Sequence, residues 1–453
     1  MSGRAIASLA AAAFFTVALL AVPAGAAAFI FQMSFGGPGA GNGQFISPTF
    51  VAADNAGHVY VADSFNDRVE KFSSSGAFLR QWGTTGSAAG QFNNPQGIAA
   101  DRAGHVYVAD RYNARIDEFS STGSFIKAYG WGVVDGMSNF ETCTTTCRSG
   151  VSGGGAGQLS TPAGLAIDTG GTLWVADQNN NRIDKFNAAG AFVLAAGWGV
   201  ADNMPHAEVC TASCQPGISG SGAGQFKTPQ GIAADRAGHV YVTDTGNDRV
   251  EKFGTGGLFL RQWGSSGFRP GKFSAPIGAA AASAAAVYIA DSGNARVEKF
   301  SPSGALLSVI GRQGSGNGEF ELPQGLATDA ANSLYVVDNA ADRVEKFGNP
   351  SNAFSFGKLK RDEHTGTAQL TVNLPGPGTV VLHGSGVVTQ SAVQAAGLHA
   401  AAARSLTLLV KPKGKAKEKL KRKGRVKVKV SVTFTPTGGV PNTRSKKFKL
   451  IER

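Results

Sequence analysis

Four cysteines, three histidines in a shared context and two sets of recurring charged residues are the parts of this chain whose types and spacing suit chemistry. The cysteines are Cys143, Cys147, Cys210 and Cys214. Four thiolates converging on one point could hold zinc, and three imidazoles such as His58, His105 and His239 could hold a catalytic metal with an open position. The duplicated C-x3-C spacing favours two short disulfides, Cys143 with Cys147 and Cys210 with Cys214, among the three pairings that four cysteines allow. A zinc site would need both segments to meet, and its usual spacing is tighter. Carboxylates beside arginines could do acid–base work, but Asp63, Asp110, Asp177, Asp244, Asp291 and Asp338 stand at one place in six copies of a pattern. So do Arg68, Arg115, Arg182, Arg249, Arg296 and Arg343. A residue present in every copy serves the copy, so these read as partners of turns and backbone.

The copies are the elements that must position any site. GHVYVAD stands at residues 57–63, recurs at 104–110 and returns as GHVYVTD at 238–244. Alignment on GQF and its variants gives steps of 47, 67, 67, 47 and 47 residues. The period is therefore 47, with the same extra 20 residues in two steps. Each copy reads as four short strands separated by Gly, Asp and Asn turns, the layout of one propeller blade, and no helical period competes with it. With 42% hydrophobic residues in 453, the chain can bury a full core, and its 62 glycines suit turns in an all-β protein.

The combination P-x-G-[IL]-A-x-D, V-Y-V-A-D and N-x-R-[IV]-x-K-F resembles the NHL repeat over roughly residues 29–347. The resemblance implies an all-β fold, a six-bladed β-propeller of NHL type. The fifth copy lacks the strand-ending aspartate, with Ala279 to Ala282 after Gly278, so that blade is expected to be looser. The sixth stops after three strands at Phe347, while AFIFQM at 28–33 mimics the fourth strand AFLRQW at 77–82. An N-terminal strand is thus expected to close the ring.

The resemblance also brings enzymes into view. The peptide-amidating lyase of the NHL group places metal-binding histidines at the start of the innermost strand, facing the channel. Here those positions read Thr49-Phe50, Gln96-Gly97, Ala163-Gly164, Gln230-Gly231, Ile277-Gly278 and Gln324-Gly325, with no histidine. His58, His105 and His239 fall in the turn between first and second strands, which in propellers usually lies opposite the main binding face. No cluster of acidic or His residues of the lactonase or streptogramin-lyase kind is visible, and the Cys/His zinc modules of animal ubiquitin ligases are missing. No metal or other cofactor is expected.

A site made once must use places where the copies differ. One is the pair of insertions GWGVVDGMSNFETCTTTCRSG from Gly130 and GWGVADNMPHAEVCTASCQPG from Gly197, which lead from fourth strand to next first strand. They are expected to form a lip over one side of the channel mouth, with Trp131 and Trp198 at their bases. The other is the loop after the second strand, with Phe65, Arg111, Tyr112, Gln178 and Asn179. Together with Gln96, Gln230 and Gln324 at the channel, these residues form the expected ligand-binding face, because unrepeated loops on a rigid scaffold are where recognition is built.

The two ends of the chain differ from the repeats. Residues 1–26 read as a secretory signal peptide, with Arg4, an apolar run and small residues for cleavage after Ala26 or Ala28. No later segment has spanning length, so a secreted, extracellular or envelope-associated protein is expected. Net charge is +12, but 20 of the 43 Lys and Arg fall after residue 356, against 4 of the 31 Asp and Glu. The preceding residues are mildly acidic. Residues 356–453 read as a small, basic β-sandwich, with Val426, Val428, Val430, Val432 and Phe434 on one face of a strand and charges on the other. This part resembles modules attached to secreted bacterial NHL proteins. Lys411 to Lys429 read either as a solvated strand face or as a tether to an anionic cell-wall polymer or acidic lipid. Nucleic acid fits poorly without interleaved aromatic residues. The reading is a non-catalytic scaffold for a protein, peptide or glycan ligand; the rival is a lyase or lactonase using the channel mouth.

Overall fold

In a computed structural model the described residues are 29–282, 286–349, 352–375, 378–388, 390–395, 404–436 and 441–453. The leader at 1–26 lies outside them, as do residues 283–285, whereas Ala282, at the place of the fifth copy's missing aspartate, ends the described strand Pro276–Ala282. Among the described residues no helix is long and apolar enough to cross a membrane. Chain contacts divide the protein into two units, one of them Phe29–Asn349.

The Phe29–Asn349 unit is all-β and consists of antiparallel sheets of four or five strands, consistent with a β-propeller. Sheet one shows the plan: Pro48–Ala53, Val59–Asp63, Arg68–Phe72 and Phe78–Trp82, in that order from inside outward. The innermost strands Pro48–Ala53, Pro95–Ala100, Pro162–Ile167, Pro229–Ala234, Pro276–Ala282 and Pro323–Thr328 lie side by side in sequence order, and the last lies beside the first. Glycine at the third position of five of these strands permits the approach: a Cβ on Gly97 would stand 2.0 Å from the Ala163 carbonyl oxygen, and one on Gly231 2.0 Å from that of Ile277. In the sixth sheet the outer strand is Ile30–Gly36, paired antiparallel with Arg343–Gly348 from Ile30 opposite Gly348 to Gly36 opposite Arg343.

Alternating apolar residues of both sheet faces pack between neighbouring sheets, as with Tyr60, Val69, Phe92, Ile98 and Val106 between sheets one and two. Polar clamps accompany them. The turn residue before each recurring arginine is left-handed, with φ between 45° and 53° at Asp67, Ala114, Asn181, Asp248, Ala295 and Asp342. From there Asp67 accepts the Asn94 N–H at 2.7 Å, Asn181 that of Thr228 at 2.9 Å, and Asp248 that of Ala275 at 2.7 Å. Asp342 likewise accepts the Ser47 N–H at 2.8 Å, joining sheet six to sheet one. Ala114 and Ala295 supply no such acceptor and suffer the left-handed conformation, which costs an L-residue with a Cβ roughly 1–2 kcal/mol. Replacing Ala114 by Asn, the residue of the matching position 181, is therefore expected to stabilise by about 1 kcal/mol and raise the melting temperature by roughly 2–4 °C. A lower melting temperature in calorimetry would count against this account of the turn.

The C-terminal unit has two antiparallel sheets. One orders Ser355–Asp362, Thr367–Leu374 and Arg404–Val410; the other orders Gln390–Ala395, Gly378–Ser385, Arg425–Pro436 and Asn442–Ile451. Leu370 and Val372 from the first share a core with Val380, Leu382, Val430, Val432 and Phe434 from the second. Lys411–Lys429 is not one strand face. Lys415–Lys423 forms a helix, capped by Gly424 in the left-handed region and anchored by the buried Leu420. Five of its six basic residues occupy alternating or terminal positions around a single leucine, a pattern without strand-type apolar alternation.

Candidate functional site

The ends of the inner strands at Pro48, Pro95 and their equivalents share a face with the loops after the second strands and the fourth-to-first connections. Five of the six sheets build the same Asp, Asn and Arg cage there, and sheet six has Ala341 at the place of the asparagine. Asp63 is fully buried; its Oδ1 accepts the Ile46 N–H at 2.8 Å, and its Oδ2 accepts Asn66 Nδ2 and Arg68 Nε, each at 2.7 Å. Arg68 then donates to the backbone carbonyls of Gly41 and Gln44. Asp244, Asn247 and Arg249 repeat the arrangement. The recurring acids and arginines are thus spent on holding loops. In sheets two and three a second buried aspartate joins, Asp117 beside Asp110 and Asp184 beside Asp177, and Arg115 and Arg182 bind the insertions through the carbonyls of Arg148 and Gln215. Burial pushes Asp117 up to about 6 against the pull of Arg115.

The histidines remain separate. His58 bonds Asp54 at 2.8 Å, His105 bonds Asp101 at 3.0 Å and His239 bonds Asp235 at 3.0 Å, each within its own first-to-second-strand turn. The one group of described residues bringing three potential metal-ligand atoms within 4.8 Å of one another is Asp202, His206 and Glu208 in the second insertion. Sequence reasoning missed it. Its Glu208 Oε1 caps the turn by accepting the Ala201 and Asp202 N–H groups, and the first insertion forms the same cap from Glu141 with Asn139 in place of the histidine. Because one copy needs no imidazole, the arrangement is sufficient as a turn cap.

The insertions do not stand as an overhanging lip along their whole length. Each contributes a fifth strand, Phe140–Cys143 or Ala207–Cys210, to the outer edge of its sheet, far side from the inner strands. Each hairpin closes through an eight-residue loop, 132–139 or 199–206, in which Gly136 and Asn203 adopt positive φ. Cys143 and Cys147 lie at disulfide distance, as do Cys210 and Cys214. Val133 packs on the first pair and Val200 on the second. Trp131 and Trp198 lie against the Gly-rich connections, donating from Nε1 to the carbonyls of Ala156 and Ala223, both at 2.8 Å. These bonds fix the insertion bases.

Two of the other expected residues meet across adjacent sheets. Arg111 Nη2 donates to Gln178 Oε1 at 3.0 Å, and its guanidinium lies 5.5 Å from the centre of the Tyr112 ring. Its Nε is buried without a hydrogen-bond partner. Tyr112 is 58% exposed, Asn179 is exposed, and Phe65 at the equivalent turn of sheet one is 69% exposed. The result is a cationic, aromatic and amide patch not repeated around the molecule. At the inner strands Gln96, Gln230 and Gln324 are half-buried, with Gln96 Nε2 donating to Asn94 Oδ1 at 3.4 Å. Phe50 replaces the glycine found in the other five copies and is buried with Ile98, and Ile277 of the fifth sheet packs on the same cluster. Sheet five adjoins neither sheet one nor sheet two, so this apolar contact crosses the central space. The twelve residues starting the inner strands offer no carboxylate, imidazole, thiol or amine for acid–base work or metal ligation.

The family model of the NHL repeat matches residues 92–119, 159–186 and 226–253, the first three strands of sheets two, three and four. The chain carries NHL repeats. No curated protein matches it significantly. Solved structures similar to this NHL-repeat chain include virginiamycin B lyase from Staphylococcus aureus, at 10% identity over 71% of this chain and 99% of that chain, TM-score 0.44. A gluconolactonase from Xanthomonas campestris matches at 14% identity over 68% and 87%, TM-score 0.44, and the WD40 β-propeller domain of Doa1 at 11% over 71% and 98%, TM-score 0.44. Likeness at this level carries no activity over to the NHL-repeat chain.

Proposed function

We propose that the chain is an exported recognition scaffold: a six-bladed NHL propeller over residues 29–355, closed by its N-terminal strand, with a β-sandwich over 356–453 that attaches to anionic envelope material. The observation that carries the reading is the division of polar groups. The repeated Asp, Asn and Arg side chains are consumed by backbone, whereas Arg111, Tyr112, Gln178 and Asn179 form an unrepeated patch whose exposed ring and amide are available to a ligand. A peptide or glycan suits it, since guanidinium, amide and aromatic groups can supply hydrogen bonds and stacking. A lyase or lactonase would need an acid, base or metal at the channel mouth, and the residues starting the inner strands provide none.

The full chain is expected to give discrete hits on peptide and glycan arrays. Arg111→Ala and Tyr112→Ala should each weaken those hits at least tenfold, on the order of 1.4 kcal/mol, with melting temperature essentially unchanged. Hits insensitive to both substitutions, or turnover of lactone substrates by the native chain, would contradict the reading.

A further inference from the structure

In the C-terminal unit, strands Arg425–Pro436 and Asn442–Ile451 place Lys427 directly opposite Lys449 and Lys429 directly opposite Lys447. All four side chains are exposed, while Val426, Val428, Val430 and Leu450 beside them are buried. Opposed residues in a ladder have Cβ atoms about 5 Å apart, and like charges at that distance destabilise the pair. Among the described residues none of the four forms an ion pair with a carboxylate. Protection of a sheet edge accounts for lysines on the outer strand Asn442–Ile451. It does not account for Lys429, which stands between Ser385 on one side and Lys447 on the other, although Lys427 lies two residues past the end of the pairing with Gly378–Ser385. The fold therefore bears a repulsion in an interior strand that local structure does not require.

We infer that this lysine quartet binds a linear, base-free phosphate polymer laid along the strands. Alternate residues repeat about every 6.8 Å along a strand, so the two lysine pairs present a double row of charge to a chain with regularly spaced anions. Further along the same face, Ser431 opposes Ser445 with hydroxyls 2.8 Å apart and Thr433 opposes Thr443 at 2.7 Å, which extends the row with neutral donors. A bilayer surface fits less well, because insertion needs exposed apolar side chains and Val388 is the large hydrophobic residue exposed among the described residues of this unit. Base-bearing polymers would ask for aromatic stacking partners, and Phe448 is buried. The inference rests on the proposed meeting with anionic envelope material, and it moves the contact from Lys411–Lys429 to a quartet half of which lies outside that stretch.

Inorganic polyphosphate titrated into the full chain at several salt concentrations tests it. Native protein should bind, and a variant with Lys427, Lys429, Lys447 and Lys449 all changed to Gln should bind at least tenfold more weakly. Its salt slope should also fall in magnitude by about 2–3, as counterion release requires. Changing Lys415, Lys417, Lys419 and Lys421 to Gln should leave affinity within threefold. Lys447→Glu should weaken binding while raising the melting temperature, because a repelling pair becomes an attracting one. Equal losses in the helix and quartet variants, a native-like quartet variant, or tighter binding to phosphatidylglycerol vesicles or single-stranded DNA than to polyphosphate would overturn it. Array hits at the Arg111–Tyr112 patch report separately on the propeller.

Discussion

Removing residues 29–35 is expected to lower the melting temperature of the protein by roughly 10 °C, the net of about 5 kcal/mol. The strand reaches three sheets. Phe29 stacks on Tyr288 of sheet five with centroids 5.7 Å apart, Phe31 meets Phe347 of sheet six edge-on at 6.0 Å, and Phe35 lies 4.8 Å from Phe72 of sheet one. Partial burial of three phenylalanines contributes about 1.5–2 kcal/mol each, and each ladder bond along the strand adds about 1 kcal/mol net. Ordering seven residues costs about 1 kcal/mol apiece, which leaves a net of about 5 kcal/mol. The exposed edge of Arg343–Gly348 left behind also invites association, so scanning calorimetry should be paired with light scattering. Phe35→Ala is the milder version, expected to cost about 3 kcal/mol. A full-length-like transition after removal of the segment would show that the pairing of Ile30–Gly36 with Arg343–Gly348 does not hold the propeller together.

That strand was legible because AFIFQM repeats the pattern of AFLRQW, and a repeat that stops one strand short must find its edge partner somewhere. Repetition made the sheets readable in the same way, since every copy tests the others. The site was less readable for a related reason. Arg111 and Gln178 belong to different copies, and only the side-by-side placement of sheets two and three brings their side chains to 3.0 Å. The insertions close their hairpins through eight-residue loops without a two-residue turn, and the choice between leaning over the channel and extending the sheet outward depended on a free edge at Phe125–Trp131. In the C-terminal unit the strand alternation of Val426 to Phe434 was plain, whereas the opposition of Lys427 to Lys449 depends on the register between two strands, which side-chain pattern alone does not fix.

The stability of the propeller should be greatest in mild acid and fall as pH rises toward 8. In sheets one, four, five and six the residue two after the recurring arginine is a buried glutamate. Burial, opposed by the adjacent arginine, pushes Glu70, Glu298 and Glu345 up to about 7 and Glu251 up to about 8. An unfolded glutamate ionises near 4.5, so between that value and 7–8 the folded chain holds protons that the unfolded chain has released. The stabilisation from these groups is complete below about 4.5 and is lost as pH climbs through 7–8. Asp54 and Asp235 act in the opposite sense at the acid end. Burial alone would raise them, but hydrogen bonds from His58 and Tyr60, and from His239 and Tyr241, outweigh it and hold both below the ordinary value. Their stabilisation is lost as pH falls below about 4, which leaves an optimum between the two windows. Glu251→Gln separates burial from charge, because an amide oxygen can still accept the Gly224 N–H that the carboxylate accepts at 3.2 Å. At pH 8 the variant should melt higher than the native chain by an amount on the order of 2–4 kcal/mol in stability, and its melting temperature should change less between pH 5 and pH 8. A native profile flat across that range, or a Gln variant less stable at pH 8, would mean that Arg249 keeps Glu251 ionised and that the pair contributes as an ordinary buried ion pair.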